Sequence, residues 1–163
     1  MTNIPQTYRA FRRTPGQGTT ETPLSIEQTT EKIFPDGSQL GSHEILIRIR
    51  AVSLNFRDVN ILDGQYQLPT AEGAIPTSDC AAEVVTVGSA VTDFKIGDRV
   101  APIFGLQNIT GQEEDFFQST LGGDIDGVLR EYAVYEDKVL VNLPKNLSWE
   151  EVSVLETRKG GQV

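Results

Sequence analysis

The clearest pattern in the chain is a strict alternation at Glu44–Val52, where Ile45, Ile47, Ile49 and Ala51 fall on one face and Arg48 and Arg50 on the other. A two-residue period of this kind predicts a half-buried β-strand. Asp79–Val87 is a second well-marked strand, rich in Ala and Val and ended by Gly88. Thr7–Arg13 predicts a short first strand, and Leu24 and Ile26 begin another. Pro15–Thr22 reads as a Gly/Thr/Pro-rich loop, and Pro35-Asp36-Gly37-Ser38 and Leu40-Gly41-Ser42-His43 as turns. Phe94–Val100 is a turn leading into a strand that continues to Ile103. Val128–Val134 and Lys138–Leu143 predict two further strands, and Gly105–Gly123 a long polar loop.

Two segments predict helices. Asn55–Leu62 is short and closed by Asp63-Gly64. Ser148-Trp149-Glu150-Glu151 matches a capping box, which predicts a helix from Trp149 to about Lys159, stopped by Gly160-Gly161. Short strands at regular spacing, without βαβ alternation, imply a mainly β barrel or sandwich formed by one domain over residues 1–163.

Composition narrows the partners. Lys plus Arg number 14 against 23 Asp plus Glu, a net charge of -9. Such a surface repels phosphate backbones and anionic lipid, so neither nucleic acid nor membrane is expected as a partner. Met1–Thr20 has no apolar core of signal-peptide length, and no window is long enough to span a bilayer. The cytosol is the expected location. Cys80 is the single cysteine and opens a strand among alanines, which predicts a buried, inert thiol.

Several segments in order resemble the catalytic domain of the medium-chain dehydrogenase/reductase superfamily. They are Leu40–Asp58, Ile75–Gly88, Phe94–Val100 and Gly122–Tyr132. The resemblance covers nearly the whole chain and implies a GroES-like, partly open β-barrel with short helices and a C-terminal helix. In zinc-dependent members a Cys-His pair lies in the turn held here by Asn55-Phe56, and a His-Glu pair where this chain has Ser78-Asp79. Zinc prefers thiolate and imidazole ligands, which Asn and Phe cannot supply. Leu54-Asn55-Phe56-Arg57-Asp58 is instead similar to the zinc-free quinone-oxidoreductase and enoyl-reductase branch, so no metal is expected. That family takes NADPH on a Rossmann domain following the stretch that resembles Glu151–Leu155. No strand–GxGxxG–helix unit occurs in these 163 residues, so no cofactor is expected in this chain and it is expected not to act as an autonomous dehydrogenase. The family's catalytic domain also recruits later strands, so an open sheet edge is expected here, covered by a second copy in a homo-oligomer.

The resemblance sets the candidate residues around a cleft for a small-molecule substrate. Asn55, Arg57 and Asp58 lie in the turn, with Asn55 as a donor to a carbonyl and Arg57 as an oxyanion stabiliser. The alternative gives Asn55 a turn-forming role and pairs Arg57 with Asp58 or another acid. Ser78 and Asp79 occupy the opposing loop, Asp79 either as a general base or as an acceptor of backbone N–H groups. Phe56 and Tyr66 are candidate substrate contacts. His43 reads as a surface position. The acidic run Gly111–Phe117 lacks a Ca²⁺-loop pattern and reads as a solvated loop. Three functional classes follow: the substrate-binding domain of a zinc-free reductase, a cofactor-independent isomerase or cyclase acting on a small carbonyl compound, or a binding or oligomerisation module.

Overall fold

A computed structural model describes residues 4–34, 39–110 and 119–155. The turn expected at 35–38, the acidic run at 111–117 and the end of the helix expected to reach Lys159 fall largely or wholly outside these residues.

Two antiparallel sheets make the body. β1 (Thr7–Arg13) and β2 (Ile26–Lys32) form a hairpin-like pair in register from Thr7 opposite Lys32 to Arg13 opposite Ile26. β3 (Glu44–Ser53), β4 (Asp79–Val87), β5 (Arg99–Pro102), β6 (Tyr132–Glu136) and β7 (Leu140–Asn142) form a five-stranded sheet in the order β6-β3-β4-β5-β7. Helix α1 (Phe56–Leu62) follows β3, and α2 (Trp149–Ser153) closes the described chain. The sheet curls into part of a barrel: the mainly β content is what the strand spacing predicts, and the GroES-like form is what the family resemblance implies.

The long strands run where their alternation puts them, but burial is two-sided. Ile45 and Ile47 pack with Cys80, Ala82, Val84 and Val100 in the main core. Leu46, on the arginine face of β3, is also fully buried, against Ile33 and Val85. Tyr8 of β1 and Ile33, just past β2, therefore help to cover part of a face that the arginines suggested was solvated. The opposite end of the sheet is covered by α2, whose Val152 packs on Ala81, Ala101 and Leu143.

Several boundaries differ from the sequence reading. β5 stops at Pro102, one residue short of Ile103, and Lys138 and Val139 belong to a 3-10 turn over Asp137–Val139, so β7 covers Leu140–Asn142 and not Lys138–Leu143. Residues 128–131 are not part of β6. Val128 and Leu129 donate their N–H groups to Thr77 and Pro76, and Glu131 donates to Arg9 of β1, so this stretch crosses between segments instead of joining a ladder. α2 ends at Ser153, with Val154 as its C-cap. Its start is as expected: Ser148 Oγ accepts from Glu151 N–H and Glu151 Oε2 accepts from Ser148 N–H.

β3 outruns its neighbour. β6 pairs with it only as far as Arg48, and one more backbone bond joins Ile49 N–H to the Glu131 carbonyl. Beyond that, residues 50–53 have β4 on one flank. The other flank opens on a shallow pocket of about 250 Å³ lined by residues 49–52 with Arg9, Phe11, Leu129 and Arg130. Side chains alternate along a strand, so four consecutive lining residues mean that the pocket meets the strand from its edge.

Candidate functional site

The turn after β3 is built on its own polar side chains. Asn55 is the N-cap of α1, with extended backbone (φ -119°, ψ 157°). Asp58, three residues on, accepts the Asn55 N–H on Oδ2 at 2.8 Å, which fixes the entry to the helix. Its other oxygen, Oδ1, accepts the N–H of Thr77 at 3.2 Å. Asp58 is buried and commits both oxygens to backbone, so it straps the 54–58 turn to the 77–80 loop.

A second bond joins the same two segments. Asn55 donates from Nδ2 to Asp79 Oδ2 at 2.6 Å. An amide nitrogen carries two hydrogens, so this bond leaves Asn55 one more to offer. Ser78 is buried beside them. Thr77 adopts φ +68°, a left-handed conformation costly for a β-branched residue, and its buried Oγ1 has no hydrogen-bond partner. Gly122 and Gly127 press against it: a Cβ at Gly127 would lie 2.0 Å from the Thr77 carbonyl oxygen and one at Gly122 2.7 Å from the Thr77 nitrogen. Chain packing from the 119–127 segment thus holds the loop in its strained form.

Arg57 does neither of the things the sequence suggested as its structural role. It donates from Nε to the Tyr66 hydroxyl at 2.9 Å, from Nη1 to the Leu121 carbonyl at 3.0 Å and from Nη2 to Thr120 Oγ1 at 3.3 Å. Its guanidinium also lies 4.9 Å from the Tyr66 ring centre and 5.0 Å from that of Phe104. Pairing with Asp58 does not occur. Because the Tyr66 oxygen accepts from Arg57, the phenol proton is left to be donated elsewhere.

Asn55, Asp58, Ser78 and Asp79 are therefore brought together, and Arg57 and Tyr66 form an adjacent pair joined to the Thr120 hydroxyl and the Leu121 carbonyl. Phe56 stands 77 % exposed, with Leu54 at 74 % beside it in sequence and Val59 at 49 % one helical turn on. These apolar side chains rim the turn without lining the 250 Å³ pocket, which includes none of the candidate residues.

Sequence reasoning missed the support behind this arrangement. The 119–127 segment is gripped by three arginines. Arg12 binds Asp126 through both Nη atoms at 3.0 Å, and Arg57 holds residues 120 and 121. Arg13, 3 % exposed, donates to the carbonyls of Gly122 (2.6 Å), Ala71 (2.9 Å) and Gly123 (3.2 Å). Burial, and then the nearby Arg57 charge, lower the Arg13 pKa. An Arg-Arg pair before a Pro-Gly turn carries no signal that one of the two is buried.

The Cys80 thiol behind the loop is buried and pushed up to about 12 by desolvation, then by Asp79. His43 sits at the far end of β3 with Nδ1 3.3 Å from Asp137. Among the described residues no three His, Cys, Asp or Glu side chains converge as a metal site, and no helix is long and apolar enough to cross a membrane.

A curled antiparallel sheet carrying two polar loops at one end defines a GroES-like domain. The alcohol dehydrogenase GroES-like domain family matches residues 41–145, and the chain belongs to it. It is 41% identical over 131 residues to a zinc-type alcohol dehydrogenase-like protein of Schizosaccharomyces pombe, covering 80% of this chain and 38% of that protein. It is 35% identical to a chloroplastic quinone-oxidoreductase of Triphysaria versicolor over 71% of this chain and 30% of the other. The structure of a protein assigned as an alcohol dehydrogenase from Sinorhizobium meliloti 1021 superposes with a TM-score of 0.73 at 30% identity, over 93% of this chain and 43% of that one. The chain thus spans well under half the length of these relatives.

Proposed function

We propose that this domain forms the substrate-side wall of a zinc-free reductase site of quinone-oxidoreductase type, binding a small conjugated carbonyl compound such as a quinone or enone. The observation that carries the reading is the Asn55–Asp79 hydrogen bond. It joins the two positions at which the resemblance puts zinc ligands in zinc-dependent members. An amide and a carboxylate bonded to each other, with a phenyl ring and a buried hydroxyl as neighbours, offer neither thiolate nor imidazole, so zinc does not fit. The spare Asn55 amide hydrogen and the Tyr66 hydroxyl proton are donors for the substrate oxygen. Donors held in place before substrate arrives stabilise charge developing on that oxygen at little reorganisation cost. Leu54 and Phe56 supply apolar area for the body of the ligand.

A nicotinamide cofactor would supply the hydride in such a reductase. The described residues do not fit one: every strand pairing in the two sheets is antiparallel, and the two α-helices have seven and five residues, with no Gly-rich βαβ unit between strands. In this reading the described residues bind substrate and leave delivery of the hydride to a nucleotide-binding unit outside them.

Amide NMR spectra of the 163-residue chain test this. Titration with 1,4-naphthoquinone is expected to shift Leu54–Asp58, Tyr66 and Thr77–Cys80, while NADPH gives no saturable change. Saturable NADPH binding, or one equivalent of zinc retained through dialysis and lost in Asp79→Ala, would overturn the proposal.

A further inference from the structure

Arg13 is a costly residue. Its guanidinium is buried and donates to three backbone carbonyls, those of Gly122, Ala71 and Gly123. Asp58 and Asp126 favour its charge only through space, and the neighbouring Arg57 opposes it. A buried cation without a bonded carboxylate lowers stability compared with an apolar side chain of similar volume. An argininium at the end of β1 is therefore poorly accounted for by packing alone.

Its contacts show what the charge holds. Residues 120–123 are gripped from two sides. Arg57 takes the Thr120 hydroxyl and the Leu121 carbonyl; Arg13 takes the next two carbonyls, those of Gly122 and Gly123. The two guanidiniums repel each other, so neither position is set by their mutual contact. What relates them is the short stretch of backbone both bind. A Cβ at Gly123 would come 2.3 Å from Arg57 Nη2, which shows how closely that backbone lies under Arg57. Arg57 in turn points Nε at the Tyr66 hydroxyl.

We infer that Arg13 is a positioning residue: by fixing the carbonyls of Gly122 and Gly123, it keeps Arg57 aimed at Tyr66 and so leaves the Tyr66 proton directed away from Arg57. The role of Tyr66 toward substrate rests on the function proposed above; the mechanical link from Arg13 to Arg57 does not. Arg13 touches no ligand in this scheme and acts through a segment more than 100 positions distant in sequence.

The link is measurable without substrate. In ¹⁵N spectra of the full 163-residue chain, the Arg57 Nε–H is assigned by its disappearance in Arg57→Lys, and its exchange with water is measured beside that of Asn55 Nδ2–H. In Arg13→Met the Arg57 Nε–H is expected to exchange at least about tenfold faster, while Asn55 Nδ2–H, held by Asp79, changes less than about twofold, because a hydrogen bond relaxed by about 1.4 kcal/mol opens about ten times more often. Arg13→Lys keeps the charge but not the planar fork. It is expected to fall between wild type and Arg13→Met, and it decides the matter alone if Arg13→Met does not fold. Wild-type protection of Arg57 Nε–H in the folded variant, or equal acceleration at Asn55, overturns the inference, because Arg13 would then act on global stability or on nothing. If naphthoquinone fails to bind while Arg57 responds as described, the proposed function fails and the positioning role stands.

Discussion

Replacing Asp58 with alanine removes the only described side chain that accepts backbone N–H groups from both the 54–58 turn and the 77–80 loop. A buried donor at Thr77 and a half-buried one at Asn55 lose a charged acceptor, and Arg13 loses a carboxylate that favours its charge. A hydrogen bond to a charged group contributes about 1.5–3 kcal/mol, and some of that is recovered because a partly desolvated carboxylate no longer has to be buried. A net loss of about 3 kcal/mol follows, and in a domain of this size that lowers Tm by about 6–12 °C. The Thr77 loop suffers most, since its left-handed backbone is held by the Asp58 bond and by Gly122 and Gly127. Circular-dichroism melts of Asp58→Ala and Asp58→Asn check the reasoning. The Asn variant keeps one acceptor oxygen, so it should lose roughly half as much. A melt within about 2 °C of wild type for Asp58→Ala would refute the strap, since that corresponds to less than about 1 kcal/mol.

Three further outcomes are expected. Gly127→Ala brings a Cβ to 2.0 Å from the Thr77 carbonyl oxygen and 2.5 Å from that of Pro76, both backbone atoms that cannot swing aside, so it should cost more than about 3 kcal/mol by urea unfolding. Asp126 is held below the usual carboxylate range: burial alone would raise it, but the hydrogen bonds from Arg12 and Ile75 outweigh that, and Glu31 is lowered first of all by its bond from Arg12. Folded pKa values below the unfolded ones add stability that is present above about pH 4 and lost as pH falls through the folded values. The stability difference between wild type and Arg12→Met, measured by urea unfolding, should therefore be full at pH 7 and shrink below about pH 4. Cys80, buried and pushed up to about 12, should resist an aromatic disulfide reagent at pH 8 in the folded chain and react within minutes in urea; rapid reaction of the native thiol would contradict its burial.

Much of the scaffold was legible because the signals that define it are local. The alternation at 44–52 and the Ala/Val run at 79–87 mark strands whose observed bounds are Glu44–Ser53 and Asp79–Val87. The short helix after Asn55 and the capping box at Ser148 were legible because a cap acts within four residues. Residues 128–131 were misplaced because their β-like composition says nothing about which segment receives their N–H groups. The chain uses them mainly to join the 76–77 loop and β1, with one bond, from Ile49 N–H to the Glu131 carbonyl, left to β3. Leu46 went unmarked because periodicity reports one buried face, and the second arises only when Tyr8, Ile33 and Phe34, distant in sequence, pack on that side.

The residue types at the site belong to the sequence: an amide at 55, a carboxylate at 79, a tyrosine at 66, and no thiolate or imidazole among them. Their spacing also sets the turn and the cap. Which atoms bond to which was decided by the fold. Arg57 could have paired with the adjacent Asp58, but Asp58 is turned to the backbone of Asn55 and Thr77, and Arg57 meets Leu121, 64 positions away. Local patterns record what neighbours in the chain can do for one another. Hydrogen bonds across such separations depend on sheet curvature and on the packing of distant loops, and these exist only once the whole chain has folded.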